Sequence, residues 1–333
     1  MPGATARPGA SAVFAAAQNG QCSNATAPRK THPPRGTFAN PRGFRETPGV
    51  PPSTPGVSTL EYRERFSALA MGPDEAFDLL TGALLIAGED TGDVDLPDAT
   101  AKLEGLADAV RPGLAGAASD HDLVARLNRE LFDEQRFRGN SDDYYDPRNS
   151  YLNVVLERRL GIPITLCIVY VEVARRLGVD AHGVGFPGHF LARIDGGGEA
   201  IFVDAFRGQI LTRADCEQQL RDQFGPAAEI QPELLAPTAP RHILARMLGN
   251  LKQIYLQRRQ LESALACCDR TLLLLPDAIG ELRDRGLVYR ALECFGPAAD
   301  DLERFLTLAP ANGDTEKIAA IVQELRQRTS QLQ

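Results

Sequence analysis

Three parts of the sequence, taken in order, could together form a site for nucleophilic chemistry. An apolar stretch at 163–177 is followed by His189 and, fifteen residues later, by Asp204. After a helix, a histidine on one strand can shuttle a proton while an aspartate on the next strand fixes its tautomer. Such a site also needs a nucleophile, typically a cysteine at the helix N-terminus, where the helix dipole stabilises a thiolate.

Cys167 is the cysteine closest to this helix start, and it has two interpretations. It follows Pro163 by four residues and therefore lies on the same helix face, one turn further in. As a displaced nucleophile, its sulfur would have to reach His189. As a small hydrophobe, it would pack beside Leu166 and Ile168. The dipole effect has mostly decayed at this depth, which favours the packing interpretation.

A polar and aromatic segment at 137–150 precedes the helix, and its Gly and Pro residues predict an ordered connection. Four of its side chains either line a binding groove or pin the loop, and we favour pinning: Tyr144, Tyr145, Arg148 and Asn149. The carboxylates of Asp142, Asp143 and Asp146 match no calcium-loop spacing, so we expect no metal site here.

Cysteine usage and hydropathy narrow the protein class. The six cysteines form no CxxC pair and no Cys/His metal spacing, which argues against a zinc ribbon and a disulfide scaffold. No cofactor is indicated, and a reducing cytoplasm is the expected compartment. No apolar run approaches the roughly 18 residues of a membrane span, so we expect no membrane association.

The charge is divided unevenly along the chain. Residues 1–58 contain six basic residues and one acidic residue, for +5, whereas the remainder contains 30 basic and 43 acidic residues, for −13. An acidic body lacks the clustered cations that nucleic-acid binding requires, so no nucleic-acid partner is expected. Ten Pro and seven Gly at positions 1–58 predict a disordered tail.

Helical periodicity begins at Thr59, and apolar residues recur at i, i+3 and i+4. The predicted helices are Leu60–Ala70, Pro73–Ala87, Ala99–Val110, Asp120–Phe132, Tyr151–Leu160, Pro163–Leu177 and Arg213–Phe224. No strand is predicted before about residue 180. Three β-like runs then follow, at Ala181–Phe186, His189–Ile194 and Ala200–Phe206. The last two bracket a triple-Gly turn, so His189 and Asp204 are expected side by side on antiparallel strands.

The C-terminal part of the chain contains an internal repeat in which position i matches position i+34. Matching pairs at this offset are Tyr255 and Tyr289, Ala264 and Ala298, Arg270 and Arg304, and Pro276 and Pro310. This is the period of the tetratricopeptide repeat, a pair of antiparallel helices. Gly286 takes the small-residue position of the second copy, whereas Lys252 stands there in the first. Two repeats rarely form a free-standing array, so the pair should pack on the preceding domain, with a helix at 313–331 capping the end.

The motifs around His189 and Asp204 resemble those of the transglutaminase-like superfamily. The matching runs are Arg175-Arg176-Leu177-Gly178, Gly188-His189-Phe190 and Val203-Asp204. The resemblance implies a Gly-x-Cys nucleophile motif, and the family spacing places Gly161-Ile162-Pro163 over it. Pro163 therefore stands where the catalytic cysteine is expected, and Ala205 stands where the family has a proline.

Several linked motifs further resemble the bacterial SirB-type family. They are Phe137-Arg138-Gly139-Asn140, Tyr144-Tyr145-Asp146-Pro147-Arg148-Asn149-Ser150, Gly161-Ile162-Pro163-Ile164 and Gly185-Phe186-Pro187-Gly188-His189-Phe190. This resemblance covers roughly residues 60–330 and implies that the altered nucleophile position belongs to the family pattern. It suggests a regulatory role rather than a reaction.

The expected fold is α+β and mostly helical, with a small transglutaminase-like (papain-like) core and C-terminal tetratricopeptide repeats. The expected parts are a disordered tail at 1–58, a helical region at 59–150, the core at 151–235, and the repeat pair with its capping helix at 238–333.

Two functions remain open, besides a core that merely supports the repeats. The first is a non-catalytic module that binds a protein or peptide partner through its repeat region. The second is a cysteine-dependent hydrolase or acyltransferase that uses Cys167, His189 and Asp204. Pro163 favours the first function, because it supplies no nucleophile and removes a backbone N–H from the helix start.

Overall fold

The computed structural model describes residues 59–92, 94–114 and 119–331, so the tail predicted at 1–58 lies outside the described residues. The described chain is mostly helical and contains a small antiparallel sheet, which confirms the expected α+β fold. Within these ranges, no helix combines the length and the apolar character needed to cross a lipid bilayer.

The described residues of the helical region form four α-helices: α1 (Thr59–Met71), α2 (Leu79–Thr91), α3 (Leu96–Val110) and α4 (Asp120–Asn128). The last three each begin at a side chain that accepts a backbone N–H of the first turn, from Asp78, Asp95 and Ser119. Helix α4 runs on into a π-helical turn at Arg129–Glu134.

The single helix predicted for Pro73–Ala87 is wrong at its start. A short 3₁₀ turn at Asp74–Ala76 is followed by extended backbone, and α2 begins only at Leu79. The cause is Asp78, which adopts an extended backbone and uses its carboxylate to accept the N–H of Leu80. An aspartate that caps in this way ends one segment and starts the next.

The core is built around one buried helix. Helix α5 (Leu152–Arg158) leads into α6 (Pro163–Arg176), whose residues from Pro163 to Ala174 are all buried. Four antiparallel strands follow in the sheet order β3–β4–β5–β6: β3 (Asp180–Val184), β4 (Leu191–Asp195), β5 (Ile201–Asp204) and β6 (Gln209–Leu211). Helix α6 packs on β3 and β4 of this sheet and on α3, and α7 (Arg213–Phe224) closes the unit.

The strands differ from the prediction in several places. A two-residue strand β1 (Arg138–Gly139) pairs in parallel with β2 (Leu160–Gly161), so the prediction of no strand before residue 180 is wrong. Segments of two residues have no hydrophobic period that sequence reasoning could detect. The edge strand β6 was also not predicted, and two of its three residues are exposed.

The C-terminal region consists of two antiparallel helix pairs and a capping helix, as the matches at i and i+34 predict. The helices are α8 (Pro240–Gln257), α9 (Leu261–Leu274), α10 (Ile279–Ala291), α11 (Phe295–Leu308) and α12 (Gly313–Gln331). Gly286 permits the close crossing of α10 and α11, because a Cβ there would lie 2.7 Å from a side-chain carbon of Leu302. Gly286 therefore has the role that the repeat pattern predicts for a small residue, which is to let the two helices cross closely.

Lys252 replaces the small residue in the first repeat, and the structure explains how it is accommodated. Its side chain is buried, and Nζ lies 2.7 Å from Glu281 Oε1 and 2.7 Å from Asp284 Oδ2. Both carboxylates belong to α10, so the lysine links the first repeat to the second. Their charges outweigh the effect of burial and raise the pKa of Lys252, which keeps the amine protonated.

The first repeat packs on the rest of the chain through both of its helices, as expected for a short array. Helix α8 contacts α2 and α6, and α9 contacts α1. At this interface Arg270 of α9 is almost fully buried, with its guanidinium 3.4 Å from Glu89 Oε2 and 3.5 Å from Asp90 Oδ1. Glu89 also receives hydrogen bonds from Arg63 of α1.

The same ion-pair cluster extends to the start of α5 through two tyrosines. Tyr255 of α8 donates its hydroxyl hydrogen to Asp90 at 2.7 Å, and its oxygen lies 2.6 Å from the hydroxyl of Tyr151. Asp90 thus accepts contacts from both helices of the first repeat. The network joins the helical region, the core and the repeats in one buried set of polar groups.

We predict that Arg270→Leu lowers the free energy of unfolding by about 3 kcal/mol, because it removes the guanidinium beside Asp90 and leaves the buried Glu89 with Arg63 as its remaining counter-charge. The matched control is Arg304→Leu, the same substitution at the equivalent position of the second repeat, where the side chain is exposed. This control should change stability by no more than about 0.5 kcal/mol. Urea unfolding of the full chain measures both values, and equal effects would contradict the assigned role of Arg270.

Candidate functional site

His189 and Asp204 meet at one edge of the core sheet. Asp204 is the last residue of β5, and His189 lies in the turn just before β4. The antiparallel register that pairs Ala192 with Val203 brings the two side chains together. His189 Nε2 is 2.9 Å from Asp204 Oδ1, which confirms the expected contact. The prediction that His189 begins a strand is wrong, because β4 starts at Leu191, after a turn with Gly188 at φ 68°.

Asp204 is completely buried and also serves the backbone around it. Its Oδ1 accepts the N–H groups of Phe206 and Arg207 at 3.0 and 3.1 Å, and its Oδ2 accepts the Arg207 guanidinium at 2.8 Å. Burial works to raise the pKa of Asp204, but the neighbouring His189 and Arg207 outweigh it and hold the pKa below its usual value. The carboxylate is therefore ionised and shared between three neighbouring residues.

His189 is half-buried and is held from several sides. Although Nε2 lies 2.9 Å from Asp204 Oδ1, the contact lacks the alignment of a good hydrogen bond. The ring stands edge-to-face against Phe206, with centroids 6.4 Å apart. The backbone carbonyl of His189 accepts a 2.7 Å hydrogen bond from Arg246 of α8, so the first repeat also fixes the histidine turn.

The start of α6, which the structure describes in full, offers no nucleophile at its first position. Pro163 is the first residue of α6 and is buried. The preceding backbone N–H, that of Ile162, donates to Thr165 Oγ1 at 3.1 Å. The Thr165 hydroxyl in turn donates to the carbonyl of Asn149 at 2.8 Å. The N–H before the proline is thus already bonded within the protein. Thr165 was not identified from the sequence. Its position three residues after the N-cap could have indicated a side chain that bonds the N-cap backbone.

Cys167 is fully buried in α6, and its thiol donates a hydrogen bond to the Leu191 carbonyl at 3.2 Å. Burial raises the pKa of this thiol far above its usual value. Because the thiolate is the reactive form, this environment disfavours nucleophilic chemistry. The geometry favours the packing interpretation of Cys167.

Asn149, one of the four groove candidates, is a buried pin of the loop before α6. It accepts a hydrogen bond from the amide of Asn140 at 3.0 Å and donates one to the carbonyl of Asp143 at 2.8 Å. Arg148 is exposed, yet its guanidinium contacts the buried carboxylate of Asp146 at 2.9 Å. Both contacts support the pinning interpretation that the sequence favoured.

The two tyrosines of this loop are exposed and continue a row of rings that starts at His189. Phe206 lies between, with ring centroids 6.4 Å from His189 and 6.1 Å from Tyr144, and Tyr144 contacts Tyr145 at 5.4 Å. Arg258, directly after α8, donates to the carbonyl of Tyr145 at 3.1 Å. Phe206 was not singled out from the sequence, although it follows Asp204 by only two residues.

A grouping of metal-type ligands in the described part of the chain lies away from this site, at Asp180, His182 and Asp195 on β3 and β4. Asp195 is already paired with the Arg193 guanidinium at 2.7 Å, and Asp180 is exposed. These contacts account for the cluster as a surface charge network. We assign no metal or cofactor to it.

Comparison with known families agrees with this geometry. A family model described as the transglutaminase-like superfamily matches residues 97–249, and one described as tetratricopeptide repeat matches residues 251–323. The first match begins at α3, so it includes helices that the sequence-based division placed in a separate helical region.

Three relatives show the range of similar proteins. A UPF0162 protein of Xylella fastidiosa (strain 9a5c) is 37% identical over 257 residues, which cover 76% of this chain and 92% of the relative. Protein SirB1 of Salmonella typhimurium is 28% identical over 220 residues, covering 66% of this chain and 82% of the relative. F-box only protein 21 of Homo sapiens is 32% identical over 215 residues, covering 55% of this chain and 33% of that protein.

The environment of Asp204 predicts a pH dependence of stability. The folded-state pKa lies below the usual 3.8, so the stabilisation is present above that value and is lost as the pH falls through the folded pKa. The stability difference between the unmodified protein and Asp204→Asn should therefore shrink as the pH falls from about 6 to about 2. Asp222→Asn, an exposed site on α7, is the control and should show little difference. A difference for Asp204→Asn that stays constant with pH would contradict this assignment.

Proposed function

This chain belongs to the family of the UPF0162 proteins and SirB1, as its motifs predicted, and from this premise we propose that it acts without catalysis, as a module that binds a protein or peptide partner. It combines a transglutaminase-like domain with tetratricopeptide repeats. The proposed role is regulatory: the partner is held rather than chemically changed.

The observation that carries this proposal is the helix start of α6. The position expected for the nucleophile is Pro163, and the adjacent N–H of Ile162 is bonded to Thr165. A cysteine-dependent reaction needs a thiolate and free donors for the developing oxyanion at this place. Pro163 supplies neither a thiol nor an N–H of its own, although His189 and Asp204 are in contact.

The alternative is a hydrolase or acyltransferase that uses Cys167, His189 and Asp204. It is supported by the retained His–Asp contact and opposed by the burial of Cys167 and its bond to the Leu191 carbonyl. A thiol with a strongly raised pKa holds its proton near neutral pH and reacts slowly. We therefore infer that Cys167 is a core residue and not a nucleophile.

The repeats support the binding half of the proposal, because stacked helix pairs form extended surfaces for peptide segments. We also propose a cytoplasmic location. The five described cysteines are all unpaired, as expected where glutathione keeps thiols reduced.

We predict that Cys167 reacts slowly with iodoacetamide near neutral pH. Cys294 of the same chain is exposed and serves as the internal reference for a free thiol. Mass spectrometry over time should show Cys294 modified first, with Cys167 protected to the same degree in the His189→Ala variant. Modification of Cys167 ahead of Cys294, slowed by His189→Ala, would establish the hydrolase alternative instead.

The binding half of the proposal is tested with the full chain, because α8 and α9 cover α1, α2 and α6 and their removal would expose the core. We expect the immobilised protein to retain a specific protein from lysate of its source cells, and excess untagged chain to compete for it. Retention that untagged chain does not reduce, repeated under several salt conditions, would contradict a binding role.

A further inference from the structure

Two arginines occupy the same position in the two repeats but have opposite surroundings. Arg270 and Arg304 are one repeat length apart, on α9 and α11. Arg270 is almost completely buried, whereas Arg304 is exposed. The contacts of Arg270 show which groups this chain places against a guanidinium at this repeat position.

The surface around Arg270 is covered by the acidic end of α2. Its guanidinium lies 3.4 Å from Glu89 Oε2 and 3.5 Å from Asp90 Oδ1, and it donates to the carbonyl of Ile86 at 3.4 Å. The first repeat therefore binds a short segment of this same chain. That segment presents two adjacent carboxylates one turn after an apolar side chain.

Beside Arg304 in the second repeat lies an open cavity of about 300 Å³ between α9, α10 and α11. Its lining is largely apolar and consists of Leu272, Leu273, Pro276 and Leu282, with Asp269, Arg285 and Arg304 among them. Leu273 is among the exposed large hydrophobic side chains of the described protein. A cavity with this lining suits an apolar side chain with a charged neighbour.

The two arginines of this cavity differ in whether a carboxylate pairs with the guanidinium. Arg285 lies 2.9 Å from Asp269 and 2.7 Å from Asp301, so its charge is already balanced. Arg304 has no ion pair or hydrogen bond to another residue within 59–92, 94–114 and 119–331. A carboxylate brought to this cavity would find an available guanidinium beside an apolar surface.

We propose that this cavity binds an acidic segment of a partner protein, with adjacent carboxylates facing Arg304 and an apolar side chain on Leu272, Leu273 and Leu282. The carboxylates would pair with Arg304 as Glu89 and Asp90 pair with Arg270. This inference rests on the proposed binding function and names its partner class. Residues 1–58 do not fit as the occupant, since they contain one acidic residue against six basic ones.

The test uses the full chain and a fluorescent peptide that copies residues 86–92, Ile-Ala-Gly-Glu-Asp-Thr-Gly, with both ends blocked. A second peptide replaces its Glu and Asp by Gln and Asn. Fluorescence anisotropy at low salt should show the acidic peptide binding about tenfold more tightly than the neutral one. Arg304→Ala should remove this preference. The control Arg213→Ala, which deletes an exposed arginine on α7, should retain it.

Several results would overturn the assignment. They are no binding of the acidic peptide, equal binding of both peptides, and equal binding by the unmodified protein and Arg304→Ala. Self-association of the unmodified protein in sedimentation experiments, abolished by Arg304→Ala, would make a second copy the occupant and would also overturn it. A lysate partner captured equally by the Arg304→Ala protein would refute this cavity while leaving the general binding function in place.

Discussion

The buried charge of Arg270 is the constraint on which the arrangement of the described chain depends. A buried guanidinium is costly unless carboxylates meet it, and here they come from Glu89 and Asp90 of another helix. The first repeat can therefore sit on the helical region in one register. That register places α8 so that Arg246 reaches the carbonyl of His189, some way from the ion pairs themselves. The turn that holds the histidine is thus positioned by a contact between repeat and core.

The site shows how a constellation of catalytic residue types can persist for structural reasons. Asp204 accepts the N–H groups of the turn that follows β5, so it would be needed there even without a histidine. Thr165 bonds the backbone at both Asn149 and Ile162, and so joins the loop to the helix start. Each residue fulfils a backbone hydrogen bond that the buried core cannot leave unpaired. The geometry of the site is therefore supported by hydrogen bonds of the fold itself.

Local patterns in the sequence were sufficient for much of this structure. The contact of His189 with Asp204 follows from two β-like runs around a Gly turn, and the repeats follow from the matches at i and i+34. What could not be predicted depends on distant partners or very short segments. Arg270 meets Ile86 across 184 residues, and β1 pairs with β2 over two residues each. Neither has a periodic signal, and Arg270 looked no different in sequence from its exposed counterpart Arg304.

The buried Lys252 has a consequence for partial unfolding of the protein. Most apolar side chains of the first repeat belong to the large central core, which also includes Val288 of α10. Most of those of the second repeat and α12 form a separate cluster around Leu302 and Phe305. Between the two clusters lie the lysine with its two carboxylates and the open cavity. Cooperative opening follows continuous apolar packing rather than sequence similarity. We therefore expect opening to begin near Pro276, inside the repeat pair, so that the first repeat opens with the body and most of the second opens with the capping helix.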